Sequence, residues 1–391
     1  MSVSETPIIV GAGPVGLGAA LFLTRQGQAV RVVEMKDEPS PWSKALAVSP
    51  RTLDILEPTG LTQKMLDLGR PIVGMRFERG GKRLAEFDLG QIHPRYPFML
   101  ALSQATTERL LFEALQEAGG GIERGLKMVE CRPEGQGVEV ALEPTDGGER
   151  SVARYPWLLA AEGVHSVARK QLGIAFEGSN LRDEWYLADV PLKSELSLDH
   201  GYIFFQKDGA FLFMLPVVDG TPEEQGRDQV WRILGNRPDP LSQVERSEPT
   251  GPPKWSSSFH VAHRLNATLA KDGVYFAGDS AHVHSPVGAR GMNLGLEDAW
   301  VFSELVRTGR LSDYNRLRRP VDHDVVKRVE RISRMAAAET PAQRLVRRFV
   351  FPLVAAFPQI RSRMVMAITG LDHDLPSFPA AEHAPGGQAA R

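Results

Sequence analysis

Residues 8–16 read Ile8-Ile9-Val10-Gly11-Ala12-Gly13-Pro14-Val15-Gly16, and this stretch decides the fold. Three apolar residues make a short buried parallel strand. Glycines at GxGxxG spacing follow, then an Ala/Leu-rich helix to about Gly27, then a strand, Ala29–Val33, that ends at Glu34. In a chain with 37 glycines the GxGxxG string alone is weak. Strand, loop, helix, second strand and closing acidic residue together make the full dinucleotide fingerprint. Gly11 permits the tight turn, Gly13 lets the backbone approach a pyrophosphate, and Gly16 lets the helix pack closely on the sheet. The helix that starts at Pro14 offers the unpaired N–H groups of the residues after the proline, and a partial positive charge, to phosphates. Glu34 is placed to accept hydrogen bonds from the adenosine ribose. This loop by itself leaves FAD and NAD both open.

Outward from the loop, Met75–Arg79 and Leu84–Asp88 alternate around Gly80-Gly81, the pattern of a hairpin. A helical pattern covers 106–118, and 122–160 has β texture. Trp185–Leu192, Gly201–Lys207, Phe211–Val218 and Gln229–Leu234 read as strands of an antiparallel sheet with no helix between them. Trp255–Val261 adds a strand, and Val274–Ala277 is a buried one ending in Gly278-Asp279. A long helix runs from about Met292 to Arg307, and the chain stays helical to about 370. Phe349–Phe357, flanked by arginines, is expected as a helix pair over the substrate domain rather than on a membrane surface. From Pro376 a Pro/Ala/Gly-rich tail is expected to be flexible.

Composition narrows the classes. A length of 391 residues predicts two or three domains. Forty-six basic against 48 acidic residues leave a net charge of −2, which argues against a nucleic-acid partner. The single cysteine, Cys131, excludes an intramolecular disulfide and a cysteine metal cluster. His282 and His284 lack a third ligand nearby in sequence, so no metal is expected. No basic segment followed by an apolar run opens the chain, and no apolar run approaches a membrane span. A cytoplasmic location is expected.

Two distant segments bear on the cofactor. Val274-Tyr275-Phe276-Ala277-Gly278-Asp279-Ser280-Ala281-His282, continuing from Ser285 to Ala299, resembles the ribityl-binding "GD" segment of single-component FAD-dependent monooxygenases, the family of p-hydroxybenzoate hydroxylase. Ala160-Ala161-Glu162-Gly163-Val164-His165-Ser166-Val167-Ala168-Arg169 resembles the "DG" segment of the same family. With the glycine loop, three motifs stand in the family's order. The resemblance implies FAD on the GxGxxG loop, with NAD(P)H as a transient co-substrate, and the FAD is expected to be non-covalent because Cys131 lies outside all three motifs. It implies a Rossmann-like, glutathione-reductase-like α/β domain with an inserted, mostly antiparallel β substrate domain and a C-terminal helical segment. The expected boundaries are 1–72, 97–175 and 262–340 for FAD, 73–96 and 176–261 for substrate, 341–375 for the helices and 376–391 for the tail.

Site residues follow. Asp279 at a strand end suits ribityl hydroxyls. Pro286 and Gly288 make a rigid loop able to lie beside a flat isoalloxazine. Gly291, Met292 and Asn293 open a helix whose N–H groups would face its pyrimidine edge. Lys44 stands where the family has an arginine, Gln104 matches a glutamine near the ribityl-pyrophosphate region, Glu162 replaces the usual aspartate beside Gly163, and Arg290 replaces a glutamine. Tyr202, Phe204, Phe211 and Phe213 are candidates for the substrate wall, with either strand face open as the lining one. The implied reaction is hydroxylation of an aromatic or polyketide-like small molecule with O2, through a C4a-hydroperoxyflavin. No general base is marked. A flavin reductase or dehydrogenase acting on a polyprenyl or alkene, and a non-catalytic flavoprotein, are the alternative readings.

Overall fold

Four strand ends meet along one edge of the central sheet, and that edge places the site. Val274–Phe276, Leu158–Ala160, Ile8–Val10, Arg31–Glu34 and Glu123–Arg124 lie side by side and parallel, with Ala270–Lys271 antiparallel at one border. The register sets Ala160 beside Val10 and Phe276, and Val10 beside Val33. The segments that leave these strands (Gly11, Met35, Ala161 and Ala277-Gly278) therefore emerge together, at the carboxyl edge where open α/β sheets bind ligands. The structure is a computed structural model describing residues 2–40, 45–90, 92–206, 210–219, 229–244, 246–338, 340, 342–347 and 357–379.

The helix after the glycine loop, Pro14–Arg25, buries its apolar residues against the sheet and against the helix Arg290–Arg307. Small residues allow the close crossing: a Cβ at Gly295 would lie 2.5 Å from Val15 Cγ2. The second helix begins two residues earlier than the sequence pattern gives. Leu126–Glu134, Gly137–Pro144 and Ser151–Tyr155 form an antiparallel meander, with Ser2–Val3 paired parallel to its last strand.

The inserted sheet is larger and mixed. Its strands run His282–Val283, Trp255–Asn266, Phe176–Ser194, Val230–Gly235, Phe211–Pro216, His200–Phe205, Gly74–Arg79 and Lys82–Asp88, and Ser247–Pro249 pairs with Phe176–Ser194. His200–Phe205 pairs parallel with Gly74–Arg79, which ties the early hairpin into the sheet, while the other pairs are antiparallel. One face packs Trp185, Leu187, Phe205, Phe211, Leu215 and Leu234. The other packs Val190, Tyr202, Phe204, Met214, Trp231 and Ile233 beneath Leu196, Leu198 and Leu241.

The C-terminal helices Tyr314–Ala337 and Pro358–Thr369 close the molecule. Residues 376–379, expected to be flexible, instead lie on the core: Phe378 meets the ring of Trp300 edge-on at 5.6 Å, and Arg307 donates to the Pro379 carbonyl. The tail's composition hides this because one aromatic, not the Pro/Ala/Gly average, supplies the anchor. Lys44, Lys207, most of the 349–357 segment and residues 380–391 lie outside the described residues.

Candidate active site

A cavity of about 1950 Å³ runs from the glycine loop to the inner face of the inserted sheet. That is about twice the upper size of an ordinary small-ligand pocket, enough for a dinucleotide and a second molecule.

At the loop end the backbone makes the site. Gly11 has φ +103°, and a Cβ there would lie 2.3 Å from the Ala161 carbonyl oxygen. A Cβ on Gly16 would lie 1.9 Å from the Gly11 oxygen, so the helix rests directly on the turn. Gly13 differs: a Cβ there meets nothing within 4 Å, because the residue borders the cavity. The helix begins at Pro14 with no side-chain cap, leaving its first N–H groups for a ligand. Pro14, Val15 and Glu34 line the same space. Glu34 underpins the loop, accepting from Ala12 N at 2.8 Å and Lys36 N at 3.0 Å.

Gln104 also lines the cavity; its Oε1 accepts from Ala45 N and its Nε2 donates to Glu108. Burial raises the Glu108 carboxyl above its usual range, with the Gln104 bond opposing. Sequence reading missed Glu108, although it lies one helical turn after Gln104. Glu162 borders the cavity beside Gly163, but its Oε1 accepts from Ser166 Oγ at 2.6 Å and Ala168 N at 2.9 Å. The carboxylate thus caps the short helix Val167–Gln171. Arg169 reaches back from that helix to the Val164 and Ser280 carbonyls and stacks over Phe176, tying the two motif segments together.

In the middle of the cavity Gly278 turns with φ +60°, and Asp279 is exposed to the cavity between buried Gly278 and Ser280. The turn is held from below. Asp298 accepts from Gly278 N at 3.1 Å and sits 2.8 Å from His282 Nε2, while Arg318 donates to Asp298 at 2.7 Å, to Glu297 at 2.6 Å and to Asp322 at 3.1 Å. This network is fully buried. Burial opposes the charge on His282, but Asp298 and Asp322 outweigh it and raise its pKa to about 9. Burial and the Asp298 charge raise Asp322 to about 7. His282, Asp298 and Asp322 hold candidate metal-ligating atoms within 4.8 Å of one another, but the Arg318 guanidinium already bonds both carboxylates there. Neither Arg318 nor the role of Asp298 was visible in sequence, since the pairing joins two helices only in the fold.

Pro286, Gly288, Gly291 and Met292 line the cavity beside Asp279. Asn293 does not reach it through its side chain. Its amide accepts from Ser49 N and Thr52 Oγ1 and donates to the Ala47 and Ala289 carbonyls, so it fastens the helix start to the 47–52 segment. Position 293 is one turn in and on the helix's inner side, so only its backbone belongs to the helix start expected to face the cofactor.

The far wall is the inserted sheet. Phe211 and Phe213 line it, joined by Ile203, Phe205, Leu215 and Leu234. Tyr202 and Phe204 do not, and this corrects the sequence expectation. Strand pairing sets Ile203 opposite Phe213 and Phe205 opposite Phe211, so Tyr202 and Phe204 share the outer face with Met214 and Leu212. There the Tyr202 hydroxyl accepts from Ser197 N at 2.8 Å. At the polar edge of the wall, Arg232 forms a bidentate pair with Asp189, both bonds 2.7 Å, and lies over the Trp255 ring.

An uncapped helix start, a side-chain-free approach at Gly13 and a carboxylate beneath the loop fit an adenine dinucleotide. The exposed Asp279 and the Pro286–Gly288 loop fit a ribityl chain and a flat ring. A family model described as "FAD binding domain" matches residues 5–329. The chain belongs to the family of FAD-dependent monooxygenases typified by p-hydroxybenzoate hydroxylase. Among its relatives in this family, 6-methylpretetramide 4-monooxygenase of Streptomyces rimosus is 37% identical over 317 residues, which is 77% of this chain and 56% of that one. Rifampicin monooxygenase of Streptomyces venezuelae is 30% identical over 383 residues, 93% of this chain and 78% of that one. The chain thus spans little more than half of the first relative's length. In fold it matches p-nitrophenol 4-monooxygenase of Pseudomonas putida with a TM-score of 0.80 at 22% identity, over 95% of this chain and 99% of the other. Among the described residues no helix is long and apolar enough to cross a membrane.

Proposed function

We propose that this chain is an FAD-dependent monooxygenase that hydroxylates an aromatic or polyketide-like small molecule at the expense of NAD(P)H and O2. The observation that carries the reading is one continuous cavity with a dinucleotide-fitting end and a broad apolar end. The relatives' names support the substrate class, since one is named for 6-methylpretetramide and another for rifampicin. Residues 1–72, 97–175 and 262–340 form the FAD compartment in this reading, and 73–96 with 176–261 form the substrate compartment. With one GxGxxG loop assigned to FAD, NAD(P)H binds transiently.

Bound FAD supplies the redox chemistry that takes electrons from NAD(P)H and activates O2. The chain's own residues do the rest. The Pro14–Val15 helix start and the Gly11–Gly13 turn hold the pyrophosphate, Glu34 the ribose, and Asp279 the ribityl hydroxyls. The N–H groups at Gly291 and Met292 face the pyrimidine edge and favour negative charge there. Phe211, Phe213, Ile203 and Leu234 hold a flat apolar substrate against the ring and exclude water. The FAD is held non-covalently: Cys131 is buried outside the cavity lining, and burial with nearby Glu162 and Glu130 pushes its thiol up to about 12.

The test is aerobic NAD(P)H consumption with a panel of phenols and polyketide-like aromatics, measuring product, peroxide and oxygen together. Product with one oxygen atom from O2 supports the proposal. Turnover of an alkene without oxygen uptake would replace it with the reductase reading, and no turnover on any substrate, with flavin bound, with the non-catalytic one.

A further inference from the structure

Arg290 is the position where the chain departs from the family's glutamine, and the structure shows where its charge goes. It is the first residue of the helix Arg290–Arg307, directly after the Pro286–Ala289 loop, and is only 2% exposed. A cation at a helix N-terminus opposes the helix dipole, and a buried one needs a partner. Its guanidinium points away from the helix axis to the C-terminal segment. Nη1 donates to the Ala367 carbonyl at 3.2 Å and lies 3.3 Å from Asp372. Asp372 also pairs with Arg328, and the neighbouring His373 lies 2.6 Å from Glu297. Gly370 turns with φ +83°, and a Cβ there would sit 2.9 Å from Arg290 Nη1, so the guanidinium fills the turn that ends Pro358–Thr369.

That helix is a wall of the cavity. Met364 and Ile368 line it, and Val365 packs in the same apolar cluster as Phe205, Phe211 and Leu215. Ile368 lies directly over the loop: a Cβ on Gly288 would be 3.8 Å from Ile368 Cα. Burial, opposed by Glu297, lowers the Arg290 pKa to about 10, so it keeps its charge near neutrality.

We infer that Arg290 is a positioning residue that clamps the helix Pro358–Thr369, through Ala367 and Asp372, onto the Pro286–Ala289 loop and so closes the substrate compartment at the flavin ring. The inference rests on the reading that FAD's ring lies at that loop. A substrate then meets a wall whose placement is set by an ion pair outside the cavity, and loosening the pair opens the compartment to water without removing a cofactor contact.

The test uses the FAD-loaded full chain with Arg290→Gln, Arg290→Lys, Asp372→Asn and the double variant Arg290→Gln with Asp372→Asn. Hydrogen exchange of peptides within 358–375 and iodide quenching of the bound flavin's fluorescence are measured on each. Exchange in 358–375 is expected to rise about tenfold in Arg290→Gln and at least as much in Asp372→Asn, which also loses Arg328. The double variant is expected to rise by less than the two single effects combined, because both variants break the Arg290–Asp372 pair. Iodide quenching should rise in parallel, Arg290→Lys should restore part of both effects, and FAD affinity should stay within about threefold. Unchanged exchange and quenching in the single variants would overturn the inference, as would additive effects in the double variant. A rise spread evenly over the chain and not relieved by lysine would also overturn it, since Arg290 would then be a general stability element. Failure of the parent chain to bind FAD would instead overturn the reading on which the inference rests.

Discussion

The two ends of the cavity are built from different materials. The dinucleotide end is backbone: a turn at Gly11, an open approach at Gly13, a helix start at Pro14 and carboxylates placed by strand ends. The substrate end is side chain: an apolar sheet face of Phe211, Phe213, Ile203 and Leu234, closed by Met364 and Ile368. At Gly11 and Gly16 the backbone tolerates almost no change, since an added methyl collides with a carbonyl oxygen. A side-chain wall can be repacked while the sheet behind it stays the same. One fold can therefore keep a fixed cofactor end and vary its substrate end.

The harshest way to break this contrast is Gly16→Ala. Its Cβ would stand 1.9 Å from the Gly11 oxygen, so the expected loss exceeds about 5 kcal/mol, read as failure to recover folded, FAD-loaded protein. Gly13→Ala, three residues away, is the control: stability should move by less than about 1 kcal/mol, while FAD affinity falls at least about tenfold. If both variants behaved alike, the distinction between a packing glycine and a ligand-facing one would be lost.

The next contrast lies within the sheet. Phe204→Ala removes a ring from the sealed outer core and should cost about 3–5 kcal/mol in urea or thermal unfolding, with substrate KM unchanged. Phe213→Ala, on the cavity face, should cost less stability and shift substrate KM or the peroxide yield. A KM change in Phe204→Ala with none in Phe213→Ala would reverse the assignment of faces.

Asp279→Ala sharpens the comparison at the point where the two ends join. Losing a charged acceptor should weaken FAD by about 1.5–3 kcal/mol, roughly 10- to 150-fold. The melting temperature of the apoprotein should barely change. Unaltered FAD affinity would assign Asp279 to the turn's structure alone.

How much of this the sequence carried follows from the same difference in material. The glycine loop was legible because its chemistry lies in residues adjacent in the chain. The sheet faces were not. Alternation separates Tyr202 and Phe204 from Ile203 and Phe205, but which set faces in depends on a register that one residue's slip reverses. Glu162 and Asn293 were legible as motif positions, yet their side chains are taken up by a helix cap and by the 47–52 segment. The Asp298–Arg318 network and the Arg290–Asp372 clamp join residues far apart in the chain, and no local pattern announces such pairs.

The smallest expected effect tests the buried support under the Gly278 turn. The native His282 pKa of about 9 lies above the ordinary histidine value of about 6.5. Its charge therefore adds stability that is fully present below about pH 6.5 and is lost as pH rises through about 9. Urea midpoints should fall across that window in the parent chain, and His282→Gln should flatten the fall. An identical slope in both proteins would mean that another group titrates there.

One measurement bears most directly on the claim that the cavity holds a single FAD: absorbance of the purified chain between about 350 and 500 nm, before and after acid precipitation. The expected result is a yellow protein whose colour leaves with the supernatant as stoichiometric FAD and returns when FAD is added back. A folded protein that is colourless, and stays colourless when FAD is supplied, would contradict it.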